Sequence, residues 1–448
     1  MYGKVMVANR GAVAARVLRA LRQMGIRSVA VYSEADRGLP YLEMADETHA
    51  IGAPPAAASY LNQDALLDVL RRSGADAVHP GYGFLSENAG FARRVVEAGA
   101  DFVGPSPQWI EAMGHKTRGR ELMARHGLPM APSSGLLDGD EARTLEAARG
   151  IGFPVLVKPA GGGGGIGMIT AHDESGLARA VAQARSMAAR SFGNDELYLE
   201  RLMVRPRHIE FQVLADRHGE VRHLFERDCS IQRRHQKVIE ESPAPGIDTG
   251  TLDAHAGRIC DVLARMGYDV IGTVETLYEP ATGFNFLEMN TRLQVEHAVT
   301  EELTGVDLVA AQLRLAAGQR IAEVLPEPPR RRGHAIEARI YAEDPVRFYP
   351  SPGPLERFRL PAGPGVRVET GYAEGGRVTP YYDPMLAKVI VRAGDRPQAI
   401  ARLAQALDAT EIAGVKTNIP FIRAVLDSEA FRTGAIHTGL AQDLRPAG

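Results

Sequence analysis

Polar and apolar residues alternate through positions 288–296, so chemically useful groups recur at every second position. This spacing directs alternate side chains to one face of an extended chain. Carboxylate and amide oxygens two residues apart suit Mg²⁺ held together with substrate phosphates. We therefore interpret the segment as part of a metal site, against the alternative of a half-exposed strand. The residues on the predicted face are Glu288, Asn290, Arg292, Gln294 and Glu296.

Two neighbouring features favour the metal interpretation. Phe284 and Phe286 continue the even-numbered positions, so the predicted face changes from apolar to polar within one segment. The preceding strand-like run contains Glu275, which approaches Glu288 if the chain turns as a hairpin at 279–283. Two carboxylates and an amide would then form one set of hard oxygen ligands.

A run of five glycines at 161–165, followed by Gly167, lies between two strand-like segments. Glycine lets backbone N–H groups approach a phosphate closely, and Lys158 at the end of the incoming segment adds positive charge. The run is not a P-loop, because no Gly-Lys-Ser/Thr sequence follows it. We interpret it as a phosphate-binding loop, with a flexible linker as the alternative.

Long polar side chains are concentrated at 232–237, within a stretch at 226–245 that we predict to be a polar loop. A cationic loop facing an anionic substrate is one interpretation, with Lys237 as its central charge. A solvated basic loop is the alternative. His235 is either a ribose contact or a core histidine, and Cys229 is interpreted as a small buried residue rather than a nucleophile.

Lysine is rare in this chain, since only six of its 52 basic residues are lysines. Either cation serves on a surface, so a retained lysine is expected where a compact ammonium is required and a planar guanidinium does not fit. Chance retention is the alternative at each position. The six are Lys4, Lys116, Lys158, Lys237, Lys388 and Lys416.

Composition excludes several classes of protein. A net charge of −3 over 448 residues gives no basic excess for nucleic acid or an anionic membrane. Two cysteines exclude a disulfide framework and a Cys-rich zinc site. No stretch approaches the roughly 18 apolar residues of a membrane span, and the N-terminus lacks the apolar core of a signal peptide. We expect a cytoplasmic protein.

The elements that must position these residues are predicted from periodicity. A strand at 4–9, a helix at 12–24 and a strand at 28–33 form a βαβ unit, which is typical of a parallel sheet. Pro-rich stretches at 104–108 and 323–332 indicate boundaries. Further predicted elements are helices at 115–126, 173–190, 251–266 and 396–407, and strands at 197–202, 208–216, 334–342, 366–370 and 386–392.

Six motifs occur in order along the chain: HPGYGFLSEN (79–88), AGGGGGIGM (160–168), ERDCSIQRRHQKVIEE (226–241), EMNTRLQVEH (288–297), YAEDP (341–345) and YYDPM (381–385). Together they resemble the biotin carboxylases, which are ATP-grasp enzymes. The resemblance implies an α/β fold in three parts. These are a Rossmann-like N-terminal domain at 1–112, an ATP-grasp domain at 113–328 with a mobile glycine-rich lid at about 131–203, and an α+β C-terminal domain at 329–448.

The resemblance also implies the nucleotide site. Lys116 and Lys158 would contact the ATP phosphates, and Gly164 and Gly165 would cover them. Two Mg²⁺ (or Mn²⁺) ions would be held by Glu275, Glu288 and Asn290. The other implied contacts are the adenine hinge at Glu200, Arg201, Leu202 and Met203, the ribose and nucleotide contacts His208, Gln232 and His235, and Leu277 beside Glu275 and Glu288.

A second substrate pocket is implied beside the nucleotide. Bicarbonate would lie against Lys237, Arg292, Gln294 and Val295, with Glu296 as the general base. Arg339 would face the ureido oxygen of biotin, and Tyr82 would lie near the biotin entrance.

The implied function is ATP- and bicarbonate-dependent carboxylation of biotin, via carboxyphosphate, as the first half-reaction of an acyl-CoA carboxylase, with acetyl-CoA as the expected acceptor. None of the six lysines lies between two methionines, the tripeptide that the resemblance associates with biotin attachment. We therefore expect biotin on a separate biotin carboxyl carrier protein, with a carboxyltransferase as a further partner. A homodimer is expected as well.

The sequence departs from the family pattern at three positions. Ile166 replaces an arginine of the glycine loop, Ala298 a proline, and Thr276 an aromatic residue. The loss of a cation at Ile166 keeps open the alternative of a non-catalytic nucleotide-binding subunit of a carboxylase assembly. Another ATP-grasp ligase is a second alternative, which would explain the lysines and the Mg²⁺ ligands but not Lys237, Arg292 and Glu296 together.

Overall fold

The computed structural model describes residues 1–161, 166–234 and 236–444. Its first strands pair in parallel, and helices cover both faces of the resulting sheet. This confirms the predicted βαβ unit. Val5 and Val7 pack with the first helix on one face, and Met6 packs with the next two helices on the other. The elements are β1 (Lys4–Val7), α1 (Gly11–Gln23), β2 (Arg27–Tyr32), β3 (Glu47–Ala50), α2 (Gln63–Ser73), β4 (Ala77–His79), α3 (Ala89–Glu97), β5 (Asp101–Phe102) and α4 (Pro107–Gly114), with 3-10 helices at Glu34–Asp36, Pro40–Met44 and Ala56–Ala58. The sheet order is β3-β2-β1-β4-β5.

A small antiparallel sheet comes next and carries the segments on either side of the glycine run. Its elements are α5 (Lys116–Arg125), β6 (Ser133–Leu136), α6 (Glu141–Ile151), β7 (Val155–Pro159), β8 (Ile169–Ala171), α7 (Glu174–Phe192) and β9 (Leu197–Arg201). The strand order is β6-β9-β7-β8, and α6 and α7 bury alanine and leucine side chains against it. Lys158 therefore lies on a strand that pairs directly with both β8 and β9.

The third part of the chain begins an antiparallel sheet that holds most of the predicted site residues. Its elements are β10 (Arg207–Ala215), β11 (Val221–Arg233), β12 (Gln236–Ser242), α8 (Thr249–Met266), β13 (Val270–Glu279), β14 (Gly283–Asn290), α9 (His297–Thr304), α10 (Leu308–Ala316) and α11 (Ile321–Val324). The predicted hairpin between β13 and β14 is confirmed, because Glu279 pairs with Gly283 across the turn.

The same sheet continues through the C-terminal part of the chain. The elements there are β15 (His334–Tyr341), β16 (Gly353–Pro354), β17 (Arg357–Arg359), β18 (Val366–Thr370), β19 (Arg377–Val378), β20 (Met385–Ala393), α12 (Arg396–Asp408), β21 (Glu411–Ala413), α13 (Ile419–Asp427), α14 (Glu429–Thr433) and α15 (Leu440–Asp443). Eight antiparallel strands follow the order β14-β13-β10-β11-β12-β15-β20-β18. The hydrogen-bonded sheet thus crosses the predicted boundary at 328–329 without a break.

The predicted polar loop at 226–245 is wrong, because β11 and β12 form a largely buried antiparallel pair there. Its charges are tolerated in the interior because each meets a partner from elsewhere in the chain. The guanidinium of Arg227 donates to Glu210 over 2.6 Å, and that of Arg233 pairs with Glu343. Among the helices of the described ranges, none is long and apolar enough to cross a membrane.

Candidate active site

A cavity of about 830 Å³ collects the predicted site residues from all parts of the fold. Gly164, Gly165 and His235 lie outside the described residues. Every other predicted site residue lines the cavity: Tyr82, Lys116, Lys158, Glu200, Arg201, Leu202, Met203, His208, Gln232, Lys237, Glu275, Leu277, Glu288, Asn290, Arg292, Gln294, Val295, Glu296 and Arg339.

The predicted metal ligands are brought together by strand register. Glu275 on β13 pairs directly with Glu288 on β14, and Asn290 follows two residues later. Two carboxylates and an amide oxygen form the donor set that Mg²⁺ prefers, so these residues fit the ion. Bound there with a nucleotide, Mg²⁺ would neutralise charge on phosphate oxygens.

A β-bulge at Leu287 corrects the predicted single face. Thr276 pairs with Phe286 while Glu275 pairs with Glu288, so one extra residue of β14 lies between the two pairs. Phe286 consequently points into the apolar core beneath α8, whereas Leu287 and Glu288 face the cavity. The expectation that the phenylalanines share the face of Glu288 is therefore wrong.

The strand also ends earlier than the alternation predicts. β14 stops at Asn290, and residues 291–296 are irregular, yet their polar side chains still line the cavity. Arg292 stabilises this irregular path, because its guanidinium donates to Asn290 Oδ1 over 2.8 Å and to Gln294 Oε1 over 2.9 Å. It also donates to Glu87 Oε2 over 2.8 Å, which ties the segment to the N-terminal part.

Lys237 occupies the centre of the polar cluster. Its ammonium lies 2.5 Å from Glu210 Oε2, 2.8 Å from Glu275 Oε1 and 2.7 Å from Glu296 Oε1. Burial opposes the charge, but these three carboxylates raise the pKa of Lys237 well above its ordinary value. The side chain of Lys237 is therefore a cation whose position is fixed by three carboxylates.

Two of the three carboxylates that contact Lys237, those of Glu275 and Glu296, have lowered pKa values and remain ionised. Burial alone would raise the pKa of Glu275, yet Lys237 and His208 hold it far below the ordinary value. Burial likewise opposes ionisation of Glu296, whose pKa is lowered by Lys237, Arg339 and Arg227. Arg339 Nη2 donates to Glu296 Oε2 over 2.9 Å, so cations contact both oxygens of this carboxylate.

Two lysines and a buried carboxylate also line the cavity. Lys158 Nζ donates to Glu200 Oε1 over 2.9 Å, and Arg120 lies 2.9 Å from the other oxygen of Glu200. Lys116 Nζ lies 3.3 Å from Glu288 Oε2. A cation from β7 and one from the start of α5 are therefore aimed at the space beside the candidate metal ligands.

Sequence reasoning missed several residues that hold this cluster. Glu210 is fully buried between Arg227 and Lys237, and Glu87 anchors Arg292 from 205 positions away. The signal for Glu210 was available, because polar residues alternate with apolar ones along β10. No local pattern indicates the Glu87 contact, since it depends on how distant segments pack.

Comparisons with known proteins were made over the whole chain. Family models match three consecutive regions: the biotin carboxylase N-terminal domain at 1–110, the carbamoyl-phosphate synthase L chain ATP-binding domain at 115–324, and the biotin carboxylase C-terminal domain at 337–443. The biotin carboxylase of Halalkalibacterium halodurans is 49% identical, over 98% of this chain and 97% of its own length. The biotin carboxylase of Pseudomonas aeruginosa is 47% identical, over 98% of this chain and 97% of its own length.

A solved structure shares the fold closely. The biotin carboxylase domain dimer of Hydrogenobacter thermophilus 2-oxoglutarate carboxylase, in complex with MgADP, ADP and bicarbonate, is 42% identical. It superposes with a TM-score of 0.95 over 100% of this chain and 99% of that one. The parallel sheet, the small antiparallel sheet and the eight-stranded sheet are thus those of an ATP-grasp enzyme. The chain belongs to the biotin carboxylase family.

Proposed function

We propose that this chain carboxylates biotin with ATP and bicarbonate. The observation that carries the proposal is that two chemically different sets of side chains line one cavity. Oxygen ligands for Mg²⁺ lie at Glu275, Glu288 and Asn290, and a cationic pocket surrounds the Glu296 carboxylate. The first set suits a nucleotide and the second suits bicarbonate.

The first step is phosphoryl transfer to bicarbonate. Glu296 accepts the bicarbonate proton, and a bicarbonate oxygen attacks the γ-phosphorus of ATP to form carboxyphosphate and ADP. Lys116 and Lys158 stabilise the charge spread over the phosphate oxygens. When the Lys237 ammonium turns from Glu296 towards bicarbonate, the proton affinity of Glu296 rises, because a nearby cation lowers a carboxylate pKa.

The second step moves the carboxyl group to biotin. Carboxyphosphate breaks down to CO₂ and phosphate, and the phosphate takes the proton from the ureido nitrogen, which then bonds to CO₂. Arg339 stabilises the negative charge on the ureido oxygen while that proton leaves. This role is supported by the position of Arg339 in the cavity wall, 2.9 Å from Glu296.

The decisive test is ATP cleavage measured with and without bicarbonate and free biotin. We expect phosphate release to require both, and carboxybiotin to form from labelled bicarbonate. ATP cleavage that requires bicarbonate, but with an acceptor other than biotin, would favour a different ATP-grasp ligase. ATP binding without any cleavage would favour a non-catalytic subunit.

We also propose that biotin is delivered on a biotin carboxyl carrier protein and that a carboxyltransferase passes the carboxyl group on, with acetyl-CoA as the first acceptor to test. The absence of a Met-Lys-Met sequence supports delivery from outside these residues. Expression with a biotin ligase should leave the chain without covalent biotin, and labelling on an avidin blot would contradict this. Free biotin should be a poor substrate, because tethering raises effective concentration.

The family models support division into domains at 1–112, 113–328, with a lid at about 131–203, and 329–448, and we retain these bounds as a proposal. The dimeric relative supports a homodimer. Mn²⁺ is expected to replace Mg²⁺, because the same oxygen ligands suit both ions.

Replacing Ile166 with arginine should lower the KM for ATP or leave it unchanged, with turnover retained. The side chain is 49% exposed, so a longer one is accommodated, and a guanidinium adds a phosphate partner. Leu136→Arg, at a similarly exposed position on β6, is the control for added charge alone. A large loss of turnover in Ile166→Arg alone would show that this enzyme requires the isoleucine.

A further inference from the structure

Lys388 is a buried lysine that none of the predicted roles uses. It lies on β20, and its side chain has no solvent exposure. The ammonium donates to the backbone carbonyl of Val295 and lies 2.9 Å from Glu369 Oε2 and 3.7 Å from Glu337 Oε2. It is also one of only six lysines in a chain that otherwise uses arginine.

Strand register places this ammonium next to the reaction. Lys388 pairs directly with Arg339 on β15 and with Glu369 on β18, so the three side chains project from the same face of the sheet. The helix α9 packs on that face against β15, β12 and β20. Val295 and Glu296 immediately precede α9 and line the cavity.

We propose that Lys388 is a positioning residue that fixes the Val295–Glu296 turn for bicarbonate. This inference rests on the proposed function. Lys237 and Arg339 hold the Glu296 carboxylate, and Lys388 holds the backbone carbonyl of the preceding residue, Val295. The backbone and the carboxylate are thereby fixed independently.

The chemistry of the site requires lysine. Its ammonium is a compact charge that donates to the Val295 carbonyl and lies 2.9 Å from one buried carboxylate oxygen and 3.7 Å from another, within one enclosed space. A guanidinium is planar and wider, and interiors are close-packed, so arginine would displace α9 or Glu369. The compositional argument for retained lysines therefore has a physical basis at this position.

Without the ammonium, the Val295 carbonyl loses a charge-assisted hydrogen bond and the turn gains freedom. Bicarbonate should then bind less well, while the lysines and oxygen ligands that face ATP stay in place. A hydrogen bond to a charged group typically corresponds to about tenfold or more in an equilibrium constant. We therefore expect Lys388→Met to raise the KM for bicarbonate about tenfold or more, with the KM for ATP unchanged.

The test compares three variants by steady-state kinetics and thermal unfolding. Because Lys388→Met leaves Glu369 buried without its nearest cation from β20, the double variant Lys388→Met/Glu369→Gln restores the charge balance. It should recover thermal stability and keep the raised KM for bicarbonate. Lys416→Met removes an exposed lysine that pairs with Asp344 over 2.8 Å, and should match wild type.

The possible outcomes test the positioning role of Lys388 separately from the proposed function. An unchanged KM for bicarbonate, a parallel rise in the KM for ATP, or a return of the double variant to wild-type kinetics would overturn the positioning role. Failure of the double variant to fold would also overturn the positioning role, because Lys388 would then be needed only for the stability of the core. If wild type shows no bicarbonate-dependent cleavage, the proposed function fails instead.

Discussion

Lys237→Met should greatly lower the rate of bicarbonate-dependent ATP cleavage while the protein stays folded. Losing one preorganised charge-stabilising group typically lowers the rate by about 10²–10³. Here the ammonium contacts Glu210, Glu275 and Glu296 together, so its removal also leaves three buried carboxylates facing each other. Methionine keeps an unbranched side chain of nearly the same length and removes the ammonium with its charge and hydrogen-bond donors.

The residual activity of Lys237→Met carries a second signature. Lys237 lowers the pKa of Glu296, so its loss raises that pKa and the basic form of Glu296 appears only at higher pH. The acidic limb of the rate profile should therefore move to higher pH. Lys4→Met, which breaks a 2.6 Å pair with Glu47 away from the cavity, is the control. Wild-type turnover in Lys237→Met would refute the assignment.

The site residues could be predicted because their spacing and motifs are local. The alternation from Glu288 to Glu296 correctly indicated a polar cluster that lines one cavity. It did not predict the geometry, because a period-two pattern assumes an uninterrupted strand. The bulge at Leu287 and the end of β14 at Asn290 instead let the chain turn from the core into the cavity.

The error at 226–245 has a different cause. The many charged residues predict a polar loop, yet the structure places them on paired strands and buries Arg227 completely beside Glu210 and Thr300. Burial of a charge becomes possible when a partner comes from another strand, and no window of sequence contains both members. The contact between Glu87 and Arg292 escaped prediction for the same reason.

The rarity of lysine among the basic residues gave a prediction that does not depend on local spacing. It marked Lys388 and Lys237 equally, without saying what either does. The structure distinguishes them: Lys237 lines the cavity, whereas Lys388 is fully buried and donates to the backbone carbonyl of Val295, which lines the cavity. One composition-based expectation thus leads to two different proposed roles, substrate binding for Lys237 and support of the bicarbonate pocket for Lys388.

Glu288→Gln should also lower the rate of ATP cleavage, by about 10²–10³-fold. The glutamine keeps one oxygen ligand but lacks the negative charge that attracts the metal ion, so the affinity for Mg²⁺ falls. Register across β13 and β14 places Glu288 beside Glu275, so neutralising Glu288 leaves Glu275 as the one carboxylate of the proposed ligand set. The half-saturating Mg²⁺ concentration should rise accordingly, and thermal stabilisation by MgATP should be lost.

The matched control for Glu288→Gln is Glu411→Gln, which neutralises an exposed carboxylate paired with Arg357 over 2.8 Å. It should keep wild-type turnover and the wild-type dependence on Mg²⁺. Both variants should unfold near the wild-type temperature without ligand, because Glu288 is one-third exposed and makes only a 3.3 Å pair with Lys116. Normal turnover at low Mg²⁺ in Glu288→Gln would remove this carboxylate from the metal site. It would leave Glu275 and Asn290 as its proposed ligands.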